Sequence, residues 1–394
     1  MWHARLAAAA LALIATSAAL AQDLKIAVGG RGIGETFVTE VGYKAGLFKR
    51  HDLVLDIFYT DGGAETQQAV ISNSAQVGIA SGFLGAIGVF AKGAPVRIIG
   101  GSYTGGAQVF WYVPTDSPIK TPQDLTGKTV AYSNNGSSTH AGVLALQKHY
   151  NIAFKPTPTG NAAATMTATM SGQVDVGWAG APFGITELEA GKIRLIMKSS
   201  DAPDFDKQTS RVIIANADEL KARPDVFALF MRGYRDSLAF VYSTPAGLAA
   251  YATFAKLPEA AAKRALQEFL PPAAVDPDRI SGIEEVMADA IAFKFISAPL
   301  TKDELAELIQ IPERRRCRRV FPGGSTTSTR GGRPQGPSRS PRLDPAGMPC
   351  WLFDASKLTS SPPGHHLFRC SGVLSPLGAA NMPQTSRNPL NVPG

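Results

Sequence analysis

The strongest constraint on this chain is an alternation of patterns. Residues 24–30 read as a strand ending in glycines, and 35–48 follow as a helix. Further strands are expected at 53–59, 76–80 and 96–100, with helices over 65–71 and 83–91 between them. Strands alternating with helices predict a mostly parallel sheet covered on both faces. The pattern then recurs, with a strand at 129–132, a helix at 138–150, and strands at 174–178 and 193–197. Beyond about 217 the chain turns helical. Phe227, Phe230, Tyr234, Leu238 and Val241 form one apolar stripe. Pro258 opens a helix over 259–270, Ile283, Met287 and Ile291 mark another, and Thr301 with Glu304 is a capping box for a last helix through 308.

One internal match points to two related halves. Residues 69–81 align without gaps on 168–180, and Ala, Ser, Val, Gly and Ala recur at five equivalent positions. In each copy a helix ends at Ser followed by Asn73 or Gly172, residues that tolerate a left-handed cap. The strand after it ends in small residues, which let a ligand approach the backbone.

The ends differ in kind from this body. Residues 1–21 read as a secretory signal: Arg5, an apolar run from Leu6 to Leu20, and a small-x-small cleavage site at 19–21. The run is too short to favour a membrane anchor. The expected mature chain is exported to the periplasm. Residues 314–394 hold 12 of the 39 Lys+Arg, 2 of the 32 Asp+Glu and 12 of the 28 prolines. That leaves 27 basic against 30 acidic groups in 1–313, so the basic balance belongs to the tail and argues for no nucleic-acid partner. Prolines at this density block helices and central strands. A frameshifted C-terminus explains such a composition, and a disordered basic tail is the alternative. Cys317, Cys350 and Cys370 all lie in the tail, so the body has no disulfide, thiol nucleophile or thiolate metal site.

Several segments in order resemble a known family. They are Lys44-Ala45-Gly46-Leu47-Phe48 leading into Leu53-Val54-Leu55, Gly62-Gly63-Ala64-Glu65, and Ala69 through Ala80. Asp124-Leu125-Thr126-Gly127-Lys128-Thr129-Val130-Ala131, Gly136-Ser137-Ser138-Thr139-His140 and Gly172-Gln173-Val174-Asp175 continue the match. Together they are similar to the periplasmic solute-binding proteins of ABC importers for sulfonate, nitrate and taurine, a family that includes thiamine-pyrimidine-related binders. The resemblance covers about 24–313. His51-Asp52, Asn73-Ser74 and Gln76 depart from the family pattern. The resemblance implies an α/β, periplasmic-binding-protein-like (type II) clamshell, two doubly wound lobes joined by two hinge strands with solute in the cleft. The expected division is lobe 1 at 22–107 plus 205–313 and lobe 2 at 108–204, crossing near 108–113 and 198–214.

Candidate ligand residues follow from the strand ends. Ser137, Ser138 and Thr139 open a helix after a strand, where free N–H groups and the dipole favour an anion. Plain N-capping is the competing reading. Gly30 and Arg31 lie in a glycine-rich strand-to-helix loop that lacks the dinucleotide fingerprint, because Glu35 replaces its third Gly. Ser81 and Phe83 end one repeat, Trp178 and Phe183 the other, and either aromatic could stack on a solute or simply pack in the core. Tyr103 and Gln108 flank a glycine-rich approach to the first crossing. His140 reads as a capped or solvated residue rather than a ligand.

The expected function is binding without chemistry: capture of a small anionic solute for delivery to an ABC permease, by a monomer that meets the membrane only through the transporter. No cofactor and no metal are expected. A pyrimidine-related binder or biosynthetic enzyme of the same fold is one alternative, but the body lacks Cys and has only His51, His140 and His149. No Gly-x-Ser-x-Gly elbow supports a hydrolase. A ligand-sensing domain is the other alternative.

Overall fold

The computed structural model describes residues 22–313. The expected signal segment and the basic tail lie outside the described residues. The strands are β1 (Gln22–Gly29), β2 (Leu53–Thr60), β3 (Val77–Gly82), β4 (Val96–Thr104), β5 (Val109–Pro114), β6 (Thr129–Tyr132), β7 (Lys155–Pro158), β8 (Gly177–Gly180), β9 (Ile193–Lys198) and β10 (Thr209–Asn216). The helices are α1 (Phe37–Lys44), α2 (Gly63–Ile71), α3 (Phe83–Phe90), α4 (Ser138–Tyr150), α5 (Ala162–Met170), α6 (Ile185–Glu189) and α7 (Pro203–Asp206). They continue with α8 (Ala217–Ala222), α9 (Pro224–Ser243), α10 (Pro245–Ala255), α11 (Glu259–Phe269), α12 (Ile283–Ala292) and α13 (Lys302–Leu308).

The first sheet has the order β2-β1-β3-β10-β4. Its βαβ core is parallel as the alternation predicts, β1 pairing with both β2 and β3. The returning strand β10 is antiparallel to β3 and β4. In the second region the expectation of a mostly parallel sheet fails. There β5 is antiparallel to both β8 and β9, and only β6 and β7 form a parallel pair. A residue pattern sets the period of a strand but not its direction. Strand β5 enters straight from β4 through residues 105–108, with no crossover helix to orient it. The two expected crossings are thus ladder strands themselves: β5 belongs to the second sheet and β10 to the first.

The helical stripe is buried as its spacing requires. Phe227, Phe230, Tyr234, Leu238 and Val241 of α9 pack with Val28, Phe37 and Phe48 in one cluster. Phe48 stacks on Phe230 with centroids 5.5 Å apart, and Phe37 meets Tyr251 edge-on at 4.8 Å. Each such aromatic contributes about 2–3 kcal/mol of burial. A second cluster joins Phe83, Leu84 and Ile87 of α3 to Trp111, Val130, Leu146 and Trp178. Apolar packing therefore runs unbroken from the first sheet's helices into the second region.

Local stereochemistry follows the sequence closely. Thr301 accepts from Glu304 N at 3.2 Å while Glu304 accepts from Thr301 N at 2.7 Å, completing the box that starts α13. In the internal repeat, α2 precedes β3 and α5 precedes β8. The expected left-handed residues Asn73 and Gly172 have φ of 56° and 75°.

Candidate functional site: the seam between the two sheets

The carboxyl end of β3 in the first sheet and the start of α3 face the amino end of α4. The approach is backbone on backbone. A Cβ on Gly82 would lie 2.5 Å from Gly136 O and 2.8 Å from Ser138 N, and one on Gly85 would also strike Gly136 O. Glycine is the residue that allows this contact. Further ties cross the seam. Gly34 N donates to Ala181 O at 2.8 Å, and Ile33 pairs with Pro182 as an isolated bridge. Asn161 Nδ2 donates to Asp61 Oδ1 at 2.8 Å, and Arg264 pairs with Glu189. The expected cleft is thus a closed seam, flanked by a groove of about 480 Å³ whose lining includes Gln67, Gly85, Asn134, Gly136, His140 and Phe295.

At the amino end of α4 the hydroxyls are tied to one another. Ser137 Oγ accepts from His140 N at 3.1 Å, so it is the N-cap. Thr139 Oγ1 accepts from Ser133 N at 2.9 Å and lies 2.9 Å from Ser137 Oγ. The capping reading therefore holds for Ser137, and Thr139 fixes the strand-to-helix turn. The dipole of this thirteen-residue helix points at the seam, and Ser138 N lies 2.8 Å from the position a Cβ on Gly82 would take. His140 stacks on Tyr132 at 4.5 Å, and its Nδ1 accepts from Gly136 N at 3.3 Å. Burial pushes its pKa below the ordinary histidine value, which leaves the ring neutral at pH 7.

Several buried side-chain polar atoms have no hydrogen-bond partner among the described residues, the core hydroxyls of Thr39, Tyr112, Tyr234 and Tyr251 among them. Ser81 Oγ, both amide atoms of Gln108 and Trp178 Nε1 are buried with no hydrogen-bond partner among the described residues. Each is at least 99% buried. Unpaired groups at this depth cost about 1–3 kcal/mol each and are rare in native interiors.

A family model described as "NMT1/THI5 like" matches residues 40–247. The chain belongs to this family. Solved structures with the same fold include the alkanesulfonate-binding protein SsuA from Xanthomonas axonopodis pv. citri bound to MOPS, at 18% identity and TM-score 0.62 over 73% of this chain and 98% of that one. The periplasmic aliphatic sulphonate binding protein SsuA from Escherichia coli matches at 20% identity and TM-score 0.58, over 80% and 98%. A Candida albicans protein with the generic periplasmic binding protein fold matches at 13% identity and TM-score 0.60, over 74% and 97%. Among curated proteins none matches the sequence. The fold is that of the periplasmic binding proteins.

Within this NMT1/THI5-like protein the expected site residues divide. Gly30, Ser81, Gln108, Ser137, Ser138, Thr139 and Trp178 are buried at strand ends or at the head of α4. Arg31 turns outward. It forks onto Glu40 at 2.9 and 3.1 Å and lies over the rings of Tyr59 and Phe254. Tyr103 is committed elsewhere, its hydroxyl donating to Phe269 O at 2.7 Å inside the core. Phe83 is core at the start of α3, and Phe183 is half-buried against the core. Sequence reading missed Glu35 and Arg211, which form a buried ion pair beside Gln108. Their separation of 176 residues leaves no local signal to read.

Proposed function

We propose that this chain is the substrate-binding component of an ABC importer, exported to the periplasm, that holds a small anionic solute between its two halves and hands it to a permease. Lobe 1 is 22–107 plus 205–313 and lobe 2 is 108–204. Closure about the two crossings is a hinge motion driven by contacts made in the closed form. The observation that carries the reading is the set of unpartnered polar groups on Ser81, Gln108 and Trp178, together with the helix head at Ser138. Most of these groups are neutral donors, which suits an oxyanion. The fold shared with sulfonate-binding proteins supports the same solute class.

Thermal unfolding of the mature chain with methanesulfonate, taurine, nitrate and small dicarboxylates tests the reading. A solute at a hundredfold its Kd adds about 2.7 kcal/mol. For a body of roughly 290 residues that raises Tm by about 4 °C. The shift should vanish in Ser137→Ala/Thr139→Ala, which dismantles the head of α4. A Tm that no oxyanion moves would end the solute assignment, and turnover of a solute would replace binding with catalysis.

A further inference from the structure

The loop between β1 and α1 is held in place by a buried charge pair. Glu35 has a fully buried side chain, and that of Arg211 on β10 is 5% exposed. Arg211 Nε donates to Glu35 Oε1 at 2.9 Å and Nη2 to Oε2 at 2.7 Å, while Ser102 Oγ donates to Oε1 at 2.6 Å. The guanidinium lies 4.9 Å over the Tyr103 ring. Replacing a buried ion pair by apolar residues is often neutral or stabilising, so stability alone gives little reason for one here. A positional role remains, and the neighbours of Glu35 supply it.

Gly34, next to Glu35, has φ of 51° and no room for a side chain. A Cβ there would strike Gln108 Oε1 and come within 2.9 Å of Arg211 Nη2. The loop is therefore clamped between Arg211 and the start of β5. Its far side carries the ties to the second half, Gly34 N to Ala181 O and Ile33 to Pro182. Ile33 Cβ also lies 3.4 Å from the Cβ position of Gly180.

We propose that the Glu35–Arg211 pair is a positioning device for closure: it fixes the loop against which residues 180–182 dock, and so sets the closed form without touching solute. This rests on the reading that the two halves open and close. Glu35 and Arg211 are positioning residues, and the docking contact itself is made by Ile33 and Gly34.

Hydrogen–deuterium exchange of the full chain tests it without any solute. In the wild type, segments 30–36 and 179–183 should exchange together and faster than β3. In Glu35→Gln both segments should exchange about tenfold faster relative to β3 than they do in the wild type, the equivalent of one charged hydrogen bond, over and above any acceleration that β3 shows from the global loss of stability. Arg211→Lys keeps the charge but gives up the two-pronged grip, and should shift the same segments. Ile33→Ala should release 179–183 while 30–36, still tied through Glu35, stays protected. Uniform acceleration of every segment in Glu35→Gln, or no change in the two, overturns the proposal. If the wild-type segments exchange no faster than β3, the halves do not part at all, and the hinged reading falls with it.

Discussion

Gly82→Ala separates closure from folding. Gly82 has φ of −64° and ψ of 127°, which alanine adopts without strain. Its added methyl would lie 2.5 Å from Gly136 O, 2.8 Å from Ser138 N and 2.9 Å from Ser137 C. All three atoms are backbone of the second half and cannot rotate aside. Reaching ordinary carbon contact near 3.5 Å requires the seam to part by about 1 Å. Overpacking on this scale costs roughly 1–3 kcal/mol. On the proposed hinge only the closed form bears that cost, so apparent affinity should fall about 5- to 150-fold, as it does when the binding-competent fraction shrinks. On the same reading the solute-free protein would relieve the clash by opening, so its Tm should move by less than about 2 °C. Calorimetric titration with the oxyanion giving the largest thermal shift measures the first quantity. Small-angle scattering should show a larger radius of gyration in the variant. An affinity within twofold of wild type refutes the argument, as does a solute-free Tm lower by more than about 5 °C, which would place the clash inside the fold.

Acid stability should report on Glu40. Burial acts to raise its pKa, but donors from Lys44, Tyr59 and Arg31 outweigh burial and hold it at about 2. A carboxyl depressed in the folded state adds stability above its unfolded pKa near 4.5, and that stability is lost as pH falls from about 4.5 to 2. The full shift corresponds to at most about 3 kcal/mol, reduced to about 1–2 by solvent screening. Urea midpoints of Glu40→Gln should therefore fall less steeply than wild type across that window, and parallel curves would contradict this. Arg211→Met strands the Glu35 carboxylate and should cost about 3–5 kcal/mol, or a Tm lower by roughly 5–8 °C. The double variant Glu35→Leu/Arg211→Met should recover most of that loss in chemical denaturation. Equal losses in the single and double variants would show that the desolvated carboxylate is not the source.

What the sequence determined by itself was local. The strand and helix periods, the stripe on α9, the cap at Thr301 and the left-handed residues at Asn73 and Gly172 all depend on neighbours within a few positions. Near-neighbour stereochemistry has few solutions, so residue type is enough to read it. The head of α4 was legible for the same reason, although geometry assigned Ser137 to the cap. The tertiary structure alone decided the antiparallel pairing of β5, the outward turn of Arg31 onto Glu40, the anchoring of Tyr103 by Phe269 and the union of Glu35 with Arg211. Each of these depends on which surfaces meet after distant segments have packed. A side chain with several possible partners takes the one that packing leaves within reach, and spacing along the chain does not carry that choice.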